Sequence, residues 1–102
     1  MKRATKTDPK IRKRRILDAA LAVACKIGHK CLTRDKVAAA ASVSGPLVAK
    51  YFTSMVKLRQ TVLRTAIKHE ILPILAHCVA DEELLSHPKL RRVTLEYIGS
   101  KL

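Results

Sequence analysis

Aromatic residues are nearly absent from this chain of 102 residues, which has no tryptophan and only Tyr51, Phe52 and Tyr97. Glycine and proline are also scarce, with three and four residues respectively. Strands favour aromatic and β-branched side chains and are bounded by frequent turn residues, so this composition argues against a sheet. The apolar residues are mostly Ala, Leu, Val and Ile in long stretches without turn signals, which predicts an all-α fold.

Long apolar runs are missing as well. No segment approaches the roughly 20 apolar residues that a membrane-spanning helix needs, so we expect no membrane partner. The first residues are polar and basic and are not followed by the apolar segment of a signal peptide. The three cysteines, an odd number without a framework pattern, are best explained as free thiols in a reducing compartment. The sequence therefore predicts a cytoplasmic protein.

Metal-binding and catalytic patterns are weak. Cys25 and Cys31 lie six residues apart near His29, a spacing that fits a tetrahedral zinc site poorly, and small buried hydrophobes are the better interpretation. Three glycines cannot form a glycine-rich phosphate loop, and no Ser/His/Asp or Cys/His set stands in a catalytic motif. We therefore expect neither an enzyme nor a cofactor.

Acidic residues are few and unevenly placed. The chain has 8 Asp and Glu against 21 Lys and Arg, a net charge of +13. Residues 1–68 carry 17 basic and 3 acidic side chains, whereas residues 69–102 carry 4 basic and 5 acidic ones. A merely solvated surface would spread its charge, so the concentration of positive charge in one part indicates a polyanionic partner.

Capping residues and apolar spacing predict a series of helices. Asp8 and Pro9 begin the first helix, which runs over 9–27 and ends at Gly28. Thr33 caps a second helix over 34–41, and Ser44 caps a third helix. A fourth helix is predicted from residue 55 toward 79, with a kink or an end near residue 72 because Pro73 lies inside it. The last helix is expected over 88–98, ending at Gly99.

Four segments together resemble the DNA-binding domain of TetR-type regulators. They are ILDAALAVACKIG over 16–28, LTRDKVA over 32–38, ASVSGPLVAKYF over 41–52 and SMVKL over 54–58. The resemblance covers about residues 10–60 and implies a three-helix, helix-turn-helix domain followed by a long helix and a short helical tail. In such a domain one helix crosses the DNA backbone and the next enters the major groove.

The resemblance assigns DNA contacts to this chain, with departures that reduce the number of base contacts. The family usually has glycine at position 42 and glycine, threonine and tyrosine at 46, 47 and 49. Here Leu47 and Ala49 can contact only thymine methyl groups, which leaves Lys50 as the main polar reader. Backbone contacts are expected from the start of the second helix, from Tyr51 and from the basic block after residue 9. The predicted DNA-binding residues are Lys10, Arg12, Lys13, Arg14, Thr33, Arg34, Lys36, Ser44, Gly45, Leu47, Ala49, Lys50, Tyr51 and Lys57.

The expected organisation is a basic flexible arm over 1–8, a DNA-binding domain over 9–60 and a helical extension over 61–102. The resemblance implies a transcriptional repressor that binds double-stranded DNA in the nucleoid. About 45 residues follow the motif, too few to enclose a drug-sized pocket, so no small-molecule inducer is expected. The apolar residues of the extension outnumber what two short helices can bury, which favours a homodimer on a palindromic site. The alternative is that these residues close the core of the monomer.

Three other functions stay open at this point. A low-specificity architectural DNA-binding protein agrees with the high charge and the sparse base readout. A protein-interaction module, for example an inhibitor of a host factor, is opposed by the basic charge of residues 1–68. RNA binding is opposed by the lack of aromatic side chains on which bases stack.

Overall fold

The computed structural model describes residues 8–101. Within them the chain is all-helical, as the composition predicts, and contains no strand. Seven α-helices and one 3₁₀ turn follow in the order α1 (Pro9–Ile27), the 3₁₀ turn (His29–Cys31), α2 (Arg34–Ala41), α3 (Gly45–Tyr51), α4 (Met55–Lys68), α5 (Leu72–Leu75), α6 (Glu82–Leu85) and α7 (Pro88–Lys101). Apart from its last residue, the predicted basic arm falls outside the described part.

Helix α1 has the predicted bounds. The Asp8 carboxylate accepts a hydrogen bond from the backbone N–H of Lys10 at 2.8 Å, and Pro9 occupies the first turn, where its missing N–H costs nothing. One face of the helix buries Ile16, Ala20 and Ala24, so α1 contributes the central strip of the core.

Helices α2 and α3 are joined by a turn of three residues. Thr33 and Ser44 cap them as predicted, through side-chain oxygens that accept backbone N–H groups. Ser42 adopts the left-handed conformation with φ 58°, and the N–H of Val43 donates to the carbonyl of Ala38 at 3.0 Å. This six-to-one hydrogen bond is the mark of a Schellman motif, which ends α2 and directs α3 away from it.

Helix α4 ends at Lys68, four residues before the predicted kink or end near residue 72, and does not continue toward residue 79. Glu70 adopts the left-handed conformation with φ 53°, and the N–H of Ile71 donates to the carbonyl of Ala66 at 2.8 Å. A second Schellman motif therefore closes α4 before Pro73 is reached. Pro73 lies in the first turn of α5, a position that tolerates it, instead of kinking a longer helix.

The remaining helices complete the core and leave some apolar side chains exposed. Ile74, Leu75, Cys78 and Leu84 join the residues of α1 to α4 in one buried cluster. Helix α7 passes through Gly99 and continues to Lys101, so the predicted end at residue 98 is wrong. Nothing lies within 4 Å of a Cβ at Gly99, and a single exposed glycine weakens a helix without ending it. The exposed apolar side chains of this region are Leu85, Val93 and Leu95.

The three cysteines are free, but they do not share one environment. Cys78 is buried, Cys25 is half-buried and Cys31 is exposed. Burial raises the pKa of Cys25 and of Cys78. The interpretation of the cysteines as small buried hydrophobes therefore fails for Cys31, because the 3₁₀ turn points its side chain outward.

Candidate nucleic-acid interface

The outer surface of helix α3 combines one charged side chain with apolar ones. Lys50 is exposed, whereas Leu47 and Ala49 are half-buried because Val48, between them, enters the core. The Lys50 ammonium lies 5.8 Å from the centre of the Tyr51 ring, a cation–π distance that holds the two side chains side by side. The structure thus leaves Lys50 as the exposed charged group of α3, with short apolar side chains beside it.

The start of α2 lies beside the start of α3. Arg34 and Lys36 are exposed in the first turn of α2, and the Arg34 side chain passes within 3.5 Å of a Cβ placed on Gly45. The Thr33 hydroxyl accepts the N–H of Lys36 at 3.2 Å, and the Ser44 hydroxyl accepts that of Leu47 at 3.3 Å. Both hydroxyls therefore use an acceptor position for capping and keep their protons for an outside acceptor.

The basic block of α1 divides between two open grooves, one toward each end of α3. Arg12 and Arg15 line the smaller groove, of about 310 Å³, together with Leu47 at the start of α3. Lys10, Lys13 and Arg14 line the larger groove, of about 620 Å³, together with residues 51–53 at the end of α3. The predicted cations thus border α3 from both ends, which a linear sequence does not reveal.

The larger groove also contains residues of α4. Lys57, predicted as a contact, lies there with Gln60, Thr61 and Arg64, which the sequence analysis did not single out. The spacing of these four residues, i, i+3, i+4 and i+7, places them on one face of a helix, a signal that was available in the sequence. The opposite wall of the groove, on α1, lies 40 or more residues away in the sequence, and only the fold brings the two walls together.

A buried polar cluster lies at the other end of α1. The Nδ1 atom of His29 is 3.1 Å from Cys78 Sγ, and its Nε2 atom is 3.9 Å from a carboxylate oxygen of Asp81. His29 is 6% exposed and Cys78 is 2% exposed. Burial lowers the pKa of His29 against the opposing effect of Asp81, and burial raises the pKa of Cys78 to about 11.

The cluster places a thiol, an imidazole and a carboxylate next to one another, but its thiol lacks the properties of a nucleophile. A reactive cysteine needs a lowered pKa and access to solvent, and Cys78 has neither. The thiol and the carboxylate face opposite ring nitrogens, so the three groups cannot converge on one ion. Across residues 8–101 no group of three or more His, Cys, Asp or Glu side chains could hold a metal ion.

Arg59 fixes the segment between the 3₁₀ turn and α2. Its Nε and Nη2 atoms donate to the carbonyl of Leu32 at 3.2 and 2.9 Å, and Leu32 itself is fully buried. This guanidinium belongs to the packing of the domain, although its charge counts among the 17 basic residues of the first two thirds of the chain. A basic residue count therefore overstates the cations that face a ligand.

Within the described part of the chain, no helix has the length and hydropathy needed to cross a bilayer. Comparisons of the chain with known protein families, with curated protein sequences and with solved structures find no match.

Proposed function

We propose that this chain is a transcriptional regulator, acting as a repressor, that binds double-stranded DNA with α2 and α3 as a helix-turn-helix. The three-residue turn between the two helices, with Val43 packed on the core, agrees with such a unit. In this proposal α3 enters the major groove while α2 crosses the backbone. The TetR-type resemblance of the sequence remains the source of this assignment.

The observation that carries the proposal is the placement of cations around α3. The basic half of α1 supplies Arg12 and Arg15 near the start of α3 and Lys10, Lys13 and Arg14 near its end. A duplex seated on α3 brings phosphates to both ends of the helix, because the two strands border the major groove. Phosphate contacts fix the orientation of a protein on DNA, and this arrangement supplies them on both sides.

The remaining contacts with bases and phosphates would come from residues of α2 and α3. Lys50 would contact guanine or a phosphate, and Leu47 and Ala49 would contact thymine methyl groups. Arg34, Lys36 and Tyr51 would bind phosphates, as would the capping hydroxyls of Thr33 and Ser44. A surface with one charged base reader relies strongly on backbone contacts, so affinity should depend steeply on salt.

We further propose that the active form is a homodimer of two copies of this chain. The exposed side chains of Leu85, Val93 and Leu95 lie in the part of the sequence whose net charge is close to zero, so two copies can approach there without strong repulsion. A two-fold dimer would place two α3 helices on successive turns of a palindromic site. No small-molecule inducer is part of the proposal.

Selection from a pool of random-sequence duplexes at two salt concentrations tests this function. We expect enrichment of a palindromic motif that survives the higher salt, with a log–log salt slope on the order of −5 to −7 for 6–8 phosphate contacts. Lys50→Gln should weaken the enrichment at the bases it reads, whereas Lys26→Gln, which removes an exposed charge near the other end of α1, should leave it unchanged.

The second candidate function is an architectural DNA-binding protein of low specificity, favoured by the single charged side chain on the outer face of α3. It predicts binding that enriches no motif and disappears at the higher salt. Failure to bind duplex DNA at either salt concentration would refute both candidates.

A further inference from the structure

The larger groove is a channel between two matched helix faces. Its walls are residues 10, 13, 14 and 17 on α1 and residues 57, 60, 61 and 64 on α4, each set spaced i, i+3, i+4 and i+7. Seven residues of helix rise about 10 Å, so each wall extends over that length. Residues 51–53, where α3 ends, also line the channel, so the channel lies next to the end of the proposed recognition helix.

The rim of the channel carries five cations, from Lys10, Lys13, Arg14, Lys57 and Arg64, and all five side chains are exposed. None of the residues that line the channel is acidic. Asp18 pairs with Arg14 at 3.1 Å, but this pair is exposed and offsets one of the five charges. Like charges four residues apart, as at Lys10 and Arg14, destabilise a helix, so this arrangement suits an anionic ligand that neutralises it.

The floor of the channel is apolar, and the polar side chains of its α4 wall differ in whether their hydrogen-bond donors are free. Leu17, Tyr51 and Phe52 form the floor, and the Lys13 ammonium lies 5.3 Å from the centre of the Phe52 ring. The Thr61 hydroxyl donates to the carbonyl of Lys57 at 2.8 Å, so its proton is already used. The Gln60 amide, the Lys57 ammonium and the Arg64 guanidinium remain as donors on the α4 wall.

We propose that this channel seats the phosphodiester backbone of one DNA strand beside the segment contacted by α3, with Lys57, Gln60 and Arg64 as phosphate donors. The inference rests on the proposed function. A backbone alternates phosphates with apolar sugar edges, which matches a cationic rim over an apolar floor. One strand carries a phosphate every 3.4 Å along the duplex axis and a wider spacing along its own winding path, so a channel of about 10 Å accommodates at most about three phosphates.

The test compares the salt dependence of binding among charge-removing variants, measured by fluorescence anisotropy on a mixed-sequence duplex several turns long. Arg64→Gln should make the log–log slope shallower by about 0.9, and the Lys57→Gln/Arg64→Gln double variant by about 1.8. Lys68→Gln is the matched control, because it removes an exposed cation from the same helix outside the channel and should leave the slope unchanged. Circular dichroism confirms that each variant folds, as expected for exposed positions.

The outcomes separate this inference from the proposed function. If the wild type binds the duplex and the channel variants keep its slope, or lose no more than Lys68→Gln does, the channel does not hold the backbone while the DNA-binding function stands. If the wild type binds no duplex, both the function and the inference fail.

Discussion

Gly28 joins α1 to the 3₁₀ turn in a conformation that other residues avoid. Its φ of 86° and ψ of 154° lie in a region populated essentially by glycine alone, and not in the left-handed helical region expected after a helix. A Cβ at this position would lie 3.0 Å from Cβ and 3.1 Å from Cγ of His77. Gly28→Ala therefore meets two separate obstacles, in the backbone and in the packing.

The two obstacles set the size of the expected effect. Holding a residue with a Cβ in this region costs about 1–3 kcal/mol. Overpacking costs about 1–3 kcal/mol, and the nearest atom is the His77 Cβ, which a change of rotamer does not move, so the backbone itself must shift. The sum, about 2–6 kcal/mol, is a large part of the 5–15 kcal/mol typical of a domain. At about 4–8 °C per kcal/mol, Gly28→Ala should lower Tm by roughly 10 °C or more.

Urea and thermal unfolding followed by circular dichroism measure the effect. Gly99→Ala is the matched control, because Gly99 lies inside α7 with open space around it, so the same substitution should stabilise the protein by about 0.5–1 kcal/mol. A double-mutant cycle with His77→Gly isolates the packing part, since that change removes the atoms that the new methyl group would touch. A loss below about 1 kcal/mol for Gly28→Ala would refute the assigned backbone conformation.

Two further predictions concern pH and helix ends. Because burial lowers the pKa of His29 below its usual 6.5, the unfolded chain binds more protons than the folded one under acidic conditions, and stability should fall as pH drops through 6.5 toward the folded pKa. His29→Gln should flatten this dependence in urea unfolding series at several pH values, and an unchanged slope would contradict it. Ser42→Gly and Glu70→Gly should each stabilise the protein by up to about 1 kcal/mol, since glycine relieves the left-handed strain while adding unfolded-state entropy. The matching Ser42→Ala and Glu70→Ala changes should bring no such gain, and equal thermal shifts for Ala and Gly would count against the strain.

The helices that begin with a side-chain cap could be predicted from the sequence. Asp8, Thr33 and Ser44 each cap a helix through a residue two or three positions later, so the signal is local and a short window contains it. Proline in the first turn of α1 and α3 adds to that signal. These boundaries need no knowledge of tertiary contacts.

The end of α4 could not be predicted in the same way. Residue Glu70 has no special preference for the left-handed conformation, yet it forms the C-terminal turn that a glycine usually forms. The apolar residues Ile67, Ile71 and Ile74 keep helical spacing across the break, so periodicity alone predicts one longer helix. The turn is favoured because it places Ile74 and Leu75 in the core, a gain that depends on the tertiary structure.

The candidate site could likewise be predicted only in part from the sequence. The basic block of α1 is evident in the sequence, but its separation into two grooves depends on where α3 and α4 lie against α1. Arg64 becomes part of the larger groove only because residues of α1 form the opposite wall. His29 and Cys78, 49 residues apart, meet through the turn that ends α4, so no motif search over neighbouring residues would pair them.

The fold separates the cation-lined start of α1 from the other end of this helix, near Gly28, where the residues after α4 pack. The break after Lys68 directs α5 back toward α1, where His77 meets Gly28 and Cys78 meets His29. Lys13 and Gly28 are 15 residues apart, about 22 Å along the helix, more than two Debye lengths at physiological salt. Titration of His29 should therefore change stability without changing the contribution of the α1 cations to the salt slope of DNA binding, provided that the protein stays folded. If His29→Gln altered that slope, α1 would have to transmit the change as a rigid element, and the two ends would not be independent.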